Sequence, residues 1–398
     1  MDPVGAEPGA PWNTFVEGDN LDVLTGLPAE SFDLIYLDPP YNTGNDFAYR
    51  DDFRGERGSG AAGRHEAWTT YLRPRLEAGR RVLATTGAIF VSIDDHEVAH
   101  LRLLMDDVFG EAHFIAQVVV NLNAKGRQLG GGFATCHEYV LVYARDAAAC
   151  VLDASSSHTV VEADFPLTAP DGRRYRRLPL RNTNKKFNPV TAPTLHFPVW
   201  GDPASGRVAT EPFAGAHEIT PIFGDLTPAV WRWSRPRIEE RPDDLECRVV
   251  RGGAGERVDV FQRDWRHPVG GRRKKLRTIW LAEEIGSTDT AVAELKDLLG
   301  PVFESPKPTG LLLRILDTMP DDARVLDYFA GSGTTGHAVA LANAADGGRR
   351  TCLSVNLPEA TRPGSNAALA GYDTVAAITR ARLRAVAERL GGGFAELS

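Results

Sequence analysis

Four consecutive residues, Asp38-Pro39-Pro40-Tyr41, have groups suited to chemistry on an amine. The exocyclic amine of a nucleobase is a weak nucleophile because its lone pair is delocalised into the ring. A carboxylate and a backbone carbonyl that accept its two N–H hydrogens would stabilise the charge that develops on the nitrogen. The prolines make the segment rigid, and the tyrosine ring can stack on a base that has left its duplex.

The position of this segment supports the same interpretation. It follows the apolar run 32–37, which is typical of a buried strand. In open α/β sheets ligands bind beyond the carboxyl ends of the strands. Taken alone, the four residues are also compatible with a tight turn capped by Asp38.

A second segment, residues 325–335, combines an apolar strand, a glycine turn and the start of a helix. Its glycines let the backbone approach a ligand closely, and Thr334 or Thr335 can supply a hydroxyl in the first helical turn. No GK[ST] follows, so the segment is not a Walker A loop, and it lacks the full GxGxxG of dinucleotide-binding proteins. By itself it is also compatible with a connection that binds nothing.

Together the two segments resemble the catalytic and cofactor motifs of amino-group DNA methyltransferases, in the order of the β class. Further segments resemble the modification subunits of type III restriction systems and related adenine methyltransferases: 18–20, 90–95, 137–139, 231–234, 303–308 and 346–348. The resemblance implies S-adenosylmethionine as the cofactor, double-stranded DNA as the substrate, and N6 of a flipped adenine as the methylated atom.

The resemblance also implies roles for individual positions. Asp38, the carbonyl of Pro39 and Tyr41 would hold the target base, and Pro40 would complete the rigid turn. Asn356 would stand near the ribose, where many methyltransferases have an acidic residue. The remaining expected cofactor contacts are Asp19, Ser305, Lys307, Asp327, Phe329, Ala330, Gly331, Ser332, Gly333 and Thr334. No metal ion is expected.

Strands and helices alternate around these segments. Apolar runs predict strands at 32–37, 88–93, 114–120, 139–143, 324–328 and 351–356, and helical spacing predicts helices at 68–84, 290–299, 310–318, 334–343 and 372–390. The alternation indicates a doubly wound α/β sheet, which the resemblance makes a Rossmann-like methyltransferase sheet with an inserted target recognition domain. We expect a catalytic half at 1–146, an insertion at 147–277 with only short strand-like pieces, and a cofactor-binding half at 278–398.

The charge is unevenly distributed. The chain has a net charge of −8, yet residues 171–277 contain 22 Lys and Arg against 13 Asp and Glu. This balance is compatible with a groove for nucleic acid and with a solvated loop region. The three tryptophans Trp231, Trp233 and Trp265 are compatible with base stacking and with packing in a small domain. With the resemblance, DNA contacts are expected from Arg181, Lys185, Lys186, Arg272, Arg273, Lys274 and Lys275.

Several other functions are disfavoured. No apolar run has the length of a membrane span, and four scattered cysteines favour a reduced, cytoplasmic protein. None of these cysteines follows a proline, which disfavours cytosine-C5 methylation. Methylation of N4 of cytosine is the nearest alternative, although Asp38 in place of serine favours adenine. A catalytically silent DNA-binding specificity subunit is the second alternative. The expected partners besides DNA are a separate restriction subunit and a second copy of the chain.

Overall fold

A computed structural model describes residues 11–44, 61–123, 126, 132–153, 165–252, 255–265 and 275–397. The described residues form two compact units. The first unit comes from Met1–Ser156 and Lys275–Ser398, and the second comes from Ser157–Lys274. No helix in the described ranges is long and apolar enough to cross a membrane.

The strands of the described residues are numbered in chain order. They are β1 (Asn13–Glu17), β2 (Phe32–Leu37), β3 (Leu83–Ile93), β4 (Phe114–Val120), β5 (Glu138–Ala144), β6 (Leu167–Thr168), β7 (Arg174–Pro179), β8 (Val199–Gly201), β9 (Val208–Ala209), β10 (His217–Ile219), β11 (Leu245–Gly252), β12 (Gly255–Trp265), β13 (Ile279–Trp280), β14 (Arg324–Asp327), β15 (Thr351–Asn356) and β16 (Phe394–Leu397).

The α-helices of the described residues are numbered in the same way. They are α1 (Asn20–Gly26), α2 (Ala61–Val82), α3 (Val98–Phe109), α4 (Arg235–Glu240), α5 (Ala282–Ile285), α6 (Thr288–Leu299), α7 (Thr309–Leu316), α8 (Thr334–Asp346), α9 (Asn366–Leu369) and α10 (Val375–Leu390).

The first unit is built on a nine-stranded sheet with the order β13-β4-β5-β3-β2-β14-β15-β1-β16. β5 runs antiparallel to β3 and β4, and the other neighbours are parallel. β2, from the first third of the chain, lies beside β14, from the last quarter, so both ends of the chain meet at the centre of the sheet. This arrangement confirms the predicted doubly wound α/β fold.

Helices cover both faces of this sheet, and the central strands are buried on both sides. Along β2 the side chains alternate: Ile35 and Leu37 pack in one core cluster with Trp68 of α2, whereas Leu34 and Tyr36 pack in the cluster on the opposite face. Strands buried on both faces have continuous apolar sequences. The sheet therefore forms a rigid base for the loops at its carboxyl edge.

The second unit contains a three-stranded sheet, β10-β8-β9, and a four-stranded sheet, β11-β12-β7-β6. β11 and β12 form an antiparallel hairpin of eight and eleven residues. The expectation of only short strand-like pieces was therefore wrong for this hairpin. Charged residues are interspersed among the apolar ones in both strands, including the buried Glu246 and Asp259, and this mixture hides the strands from a search for apolar runs. The insertion was expected at 147–277, whereas the second compact unit runs from Ser157 to Lys274.

The core of the second unit contains two of the three tryptophans considered for base stacking. Trp231 is fully buried and Trp233 is 3% exposed, and both belong to one apolar cluster. The indole Nε1 of Trp231 donates a hydrogen bond to the carbonyl of Phe197 at 2.8 Å. These two tryptophans are therefore packing residues.

Candidate active site

Two turns meet at the carboxyl edge of the central sheet. The proline turn, residues 38–41, follows β2, and the glycine turn, residues 329–333, follows the neighbouring strand β14. Because β2 and β14 are parallel, both turns emerge at the same edge. Residues of both turns line a single cavity.

The proline turn is surrounded by a network of four polar side chains. The Oη of Tyr41 lies 2.7 Å from Oδ1 of Asp38 and 3.1 Å from Oε2 of Glu138, so two carboxylates share its proton. The Nζ of Lys307 lies 3.0 Å from Asp38 and 3.3 Å from Glu138. Burial, reinforced by the charge of Asp38, raises the pKa of Tyr41 well above its ordinary value. Tyr41 therefore remains a protonated donor, and one ammonium lies within ion-pair distance of two carboxylates.

The proline turn is also fixed from its other side. The Nε1 of the fully buried Trp68, in α2, donates to the carbonyl of Pro40 at 2.7 Å. Pro39 is buried, and Pro40 is partly exposed. The rigid backbone expected from the two prolines is thus attached to the longest helix of the described residues.

A buried acid lies at the start of the glycine turn. Asp327 is 2% exposed. Its Oδ1 accepts from the backbone N–H of Phe329 at 3.1 Å, and its Oδ2 accepts from Oγ1 of Thr335 at 2.5 Å. Burial raises the pKa of Asp327 to about 7, and the charge of Asp38 acts in the same direction. Near neutral pH this carboxyl is poised between its two protonation states.

Asn356 shapes the glycine turn from the end of β15. Its Nδ2 donates to the carbonyl of Gly331 and to Oγ1 of Thr379, both at 3.0 Å. Gly331 has a φ of 50° and Gly333 a φ of 80°, in the left-handed region that favours glycine. The side-chain amide of Asn356 thus donates a hydrogen bond to the backbone of the glycine turn. An ionised acidic side chain has no hydrogen to donate, which explains an asparagine at this position.

The cavity shared by the two turns has a volume of about 430 Å³, within the range of small-molecule sites. Of the residues predicted to contact the cofactor, the cavity is lined by Asp19, Ser305, Lys307, Asp327, Phe329, Ala330, Gly331, Ser332, Thr334 and Asn356. Gly333 is not among the lining residues. Asp38 and Pro40 line the cavity as well, whereas Pro39 and Tyr41 are not among the lining residues, so its wall includes members of both predicted sets.

A cluster around Arg75 lines the cavity and was not predicted. The Nε of Arg75 donates to Oδ1 of Asn20 at 2.7 Å, and its Nη2 lies 3.3 Å from Oδ2 of Asp19. Its guanidinium stands 3.8 Å from the centre of the Tyr71 ring, and Nδ2 of Asn20 donates to the carbonyl of Tyr328. Arg75 thereby joins α2 to the start of α1. The resemblance of residues 18–20 was the only sequence signal for this part of the cavity.

The residues predicted to contact DNA are only partly described. Arg181 lies 3.5 Å from the buried carboxylate of Asp259, and Lys185 lies 2.6 Å from Asp225, so both already have an ion-pair partner in the second unit. Such partners compete with phosphates for the same charge. Lys186 and Lys275 are exposed, and Arg272, Arg273 and Lys274 lie outside the described residues.

The fold and its two turns define the class of this protein. A family profile described as "DNA methylase" matches residues 32–345, from β2 to α8, and so includes the proline turn and the glycine turn. The chain belongs to this family, named for methylation at N6 and N4, and the resemblance noted in the sequence is confirmed.

Known relatives are similar over most of the chain. The Mod subunit of the type III restriction-modification enzyme EcoPI, from Escherichia phage P1, is 34% identical over 94% of this chain and 62% of its own length. The type II methyltransferase M.KpnI from Klebsiella pneumoniae is 34% identical over 93% of this chain and 87% of its own length. The StyLTI Mod subunit from Salmonella typhimurium is 31% identical over 95% of this chain and 57% of its own length. The chain therefore spans less than two thirds of the two Mod subunits.

Proposed function

We propose that this chain transfers a methyl group from S-adenosylmethionine to N6 of an adenine flipped out of double-stranded DNA. The observation that carries the proposal is that one cavity joins the carboxylate of Asp38 in the proline turn to the glycine turn beside Asp327. Bound S-adenosylmethionine supplies an electrophilic methyl group on its sulfonium. The chain itself contributes by positioning an amine against that group.

Asp327 supports the binding of a cationic cofactor. Its carboxyl is buried, and among the described residues no cationic side chain is paired with it. A ligand that carries an ammonium and a sulfonium would favour its ionised form. Ser305, the glycine turn and the Arg75 cluster would contact the rest of the ligand, because they line the same cavity.

Asp38, Tyr41 and Lys307 would act on the amine side. Asp38 would accept one N–H of the target amine, and this favours the charge that develops on nitrogen during transfer. In the free chain the Nζ of Lys307 lies 3.0 Å from Oδ1 of Asp38. Glu138 would retain Lys307 while the amine takes its place, because it already lies 3.3 Å from that ammonium. Tyr41 would stack on the flipped base.

Adenine is favoured over cytosine on two grounds. The proline turn begins with Asp38 and not with the serine that is commoner among N4-cytosine enzymes. The relative named DNA adenine methyltransferase YhdJ, from Escherichia coli, is 24% identical over 44% of this chain. Methylation of N4 of cytosine is the alternative, because the family covers both positions.

The second unit is proposed as the target recognition domain. Its sequence range, 157–274, contains 20 Lys and Arg against 15 Asp and Glu in a chain whose net charge is −8, and phosphate contacts supply much of the affinity of DNA-binding proteins. Lys186, Lys275 and the run 272–274 are the proposed phosphate contacts. A separate restriction subunit and a second copy of the chain are proposed partners, since two relatives are named as Mod subunits of restriction-modification enzymes. A cytoplasmic location is part of the same proposal.

Single-molecule sequencing of DNA from cells that express the chain tests the function. N6-methyladenine confined to one short sequence is the expected result, and Asp38→Ala should abolish it. Asp322→Ala, which removes an exposed acid away from the cavity lining, is the matched control and should modify DNA normally. Purified Asp38→Ala should still bind S-adenosylmethionine in calorimetry, because Asp38 is assigned to the amine.

Each other outcome has a definite meaning. Modified cytosine in the same experiment would move the assignment to N4. Normal methylation by Asp38→Ala would overturn the role of the proline turn. Sequence-specific DNA binding without any methylation, by the native chain with its cofactor, would support the silent specificity subunit.

A further inference from the structure

A fully buried carboxylate lies behind the proline turn and takes no part in the proposed chemistry. Glu97, which immediately precedes α3, has a side chain that is 0% exposed. Its Oε1 accepts from Nδ2 of Asn42 at 2.6 Å and lies 2.6 Å from Nδ1 of His65. Its Oε2 lies 3.1 Å from Nδ1 of His100. Two other chain segments, the one after the proline turn and α2, thus converge with α3 on one buried carboxylate.

Local geometry directs Glu97 to this position. Glu97 stands at the N-cap of α3 but makes no side-chain hydrogen bond to the helix, so its carboxylate is not used for capping. Glu97 and His100 are three residues apart, which puts both on one face of the helix. The carboxylate of Glu97 and the imidazole of His100 therefore lie side by side, and this carboxylate contacts Asn42, which follows the proline turn.

Asn42 is the link to the active site. It directly follows Tyr41, is 0% exposed and has a φ of 58°. Asparagine adopts this left-handed conformation more readily than other residues with a Cβ, because its short polar side chain can hydrogen-bond nearby. Its short hydrogen bond to the carboxylate of Glu97 is charge-assisted and so is among the stronger bonds available. The conformation of Asn42 in turn determines how the chain leaves the proline turn.

The side chains of His65, Glu97 and His100 have possible metal-ligand atoms within 4.8 Å of one another, as a metal centre would require. The ring geometry disfavours that interpretation. The imidazoles of His65 and His100 are stacked, with centroids 4.1 Å apart and planes 13° apart. A metal ion lies near the plane of each imidazole that ligates it, and two nearly parallel planes at this separation do not meet at bonding distance. The two Nδ1 atoms instead face different oxygens of one carboxylate.

We propose that Glu97 is a positioning residue for methyl transfer. Held by His65, with His100 3.1 Å from its other oxygen, it fixes Asn42 and thereby the direction in which the acceptors of the proline turn face. Among the described residues its hydrogen bonds and ion pairs include none to either of the two turns that line the cavity, so it acts through Asn42. The expected effect of Glu97 on the rate of methyl transfer rests on the proposed function. Its expected effect on the conformation of residues 38–44 does not depend on activity.

Two substitutions of Glu97 test the proposal, with Asp107→Asn, an exposed acid in the same α3 helix, as the matched control. Glu97→Met has similar length but no acceptor. At saturating DNA and cofactor it should lower the rate of methyl transfer at least about tenfold, because small misplacements of reacting groups are costly. Glu97→Gln keeps an oxygen for Asn42 and should restore most of that rate. Affinity for S-adenosylmethionine and the KM for DNA should change little in either variant.

The pairing with Asn42 is tested by a double-mutant cycle. Asn42→Ala removes the donor, so the double variant with Glu97→Met should be no slower than the slower single variant. Hydrogen–deuterium exchange of peptides that cover residues 38–44 should quicken in Glu97→Met and not in Asp107→Asn. This second measurement needs neither DNA nor turnover, so it still reports on the positioning role in a chain that proves inactive on DNA.

Additive effects in the cycle would overturn the proposal, and so would unchanged exchange of residues 38–44. A rate loss accompanied by an equal loss of cofactor affinity would assign Glu97 to general folding. A native rate that falls on chelation and returns with Zn²⁺ would make the cluster a metal centre and would also overturn it.

Discussion

Replacing Asp327 with asparagine should change how the stability of the chain depends on pH. In the folded chain, burial raises the pKa of Asp327 from 3.8 to about 7. In the unfolded chain the carboxyl returns to about 4. Between these values the folded state holds a proton that the unfolded state has lost. Folding stability therefore falls as the pH rises through this window and levels off above about pH 7.

The size of the effect follows from the displacement of the pKa. One pKa unit corresponds to about 1.4 kcal/mol, so the whole loss is on the order of 4 kcal/mol. Asp327 is buried, so screening by solvent removes little of it. Asparagine cannot ionise, and its side-chain oxygen can still accept from the N–H of Phe329. The variant should therefore lack this loss of stability.

Urea denaturation at a series of pH values measures the effect. The quantity to plot is the free energy of unfolding of Asp327→Asn minus that of the native chain, because contributions from other carboxyls cancel in the difference. This difference should move in favour of the variant as the pH rises from about 4.5 to 7. Asp322→Asn, at an exposed position, should give a flat difference. A flat difference for Asp327→Asn as well would refute the assignment of a buried, protonated acid to the cavity.

Three further predictions concern the cavity and the second unit. Lys307→Met leaves the carboxylates of Asp38 and Glu138 without their ammonium, and steady-state assays should show kcat reduced on the order of tenfold, because two neighbouring like charges disfavour the ionised acceptor. Asn356→Asp removes the donor to Gly331 and should weaken the binding of S-adenosylmethionine in calorimetry, although it restores an acidic residue near the ribose. Trp231→Ala should cost about 3–5 kcal/mol in urea denaturation of the second unit.

The sequence was most informative where the elements are buried on both sides. The strands predicted at 32–37 and 351–356 match β2 and β15 to the residue, because strands covered on both faces are largely apolar. The strand predicted at 114–120 also matches β4 to the residue, although β4 is only partly buried. The edge of the same sheet was missed. β1 and β16 are short strands of mixed polarity, and β16 pairs with β1 alone, so neither has a continuous apolar signal.

The site was predictable in its two turns and not in what surrounds them. Motif resemblance placed Asp38 and the glycine turn, and ten of the predicted cofactor contacts line one cavity. Arg75 and Glu97 had no such signal, because each acts through contacts with residues more than fifty positions away in the chain. Contacts of this kind depend on how α2 and α3 pack against the sheet, which no local pattern records.

The charge on the proline turn affects the acid beside the glycine turn, so the variant Asp38→Ala should also change the binding of S-adenosylmethionine. Burial is the main cause of the raised pKa of Asp327, and the charge of Asp38 raises it further. Removing the charge with Asp38→Ala lowers the pKa of Asp327 and favours the ionised acid that a cationic cofactor requires. In that variant, affinity for S-adenosylmethionine below about pH 7 should therefore be slightly higher than in the native chain. Loss of methylation with tighter cofactor binding would thus separate the two halves of the site: Asp38 acts on the amine, and Asp327 acts on the methyl donor.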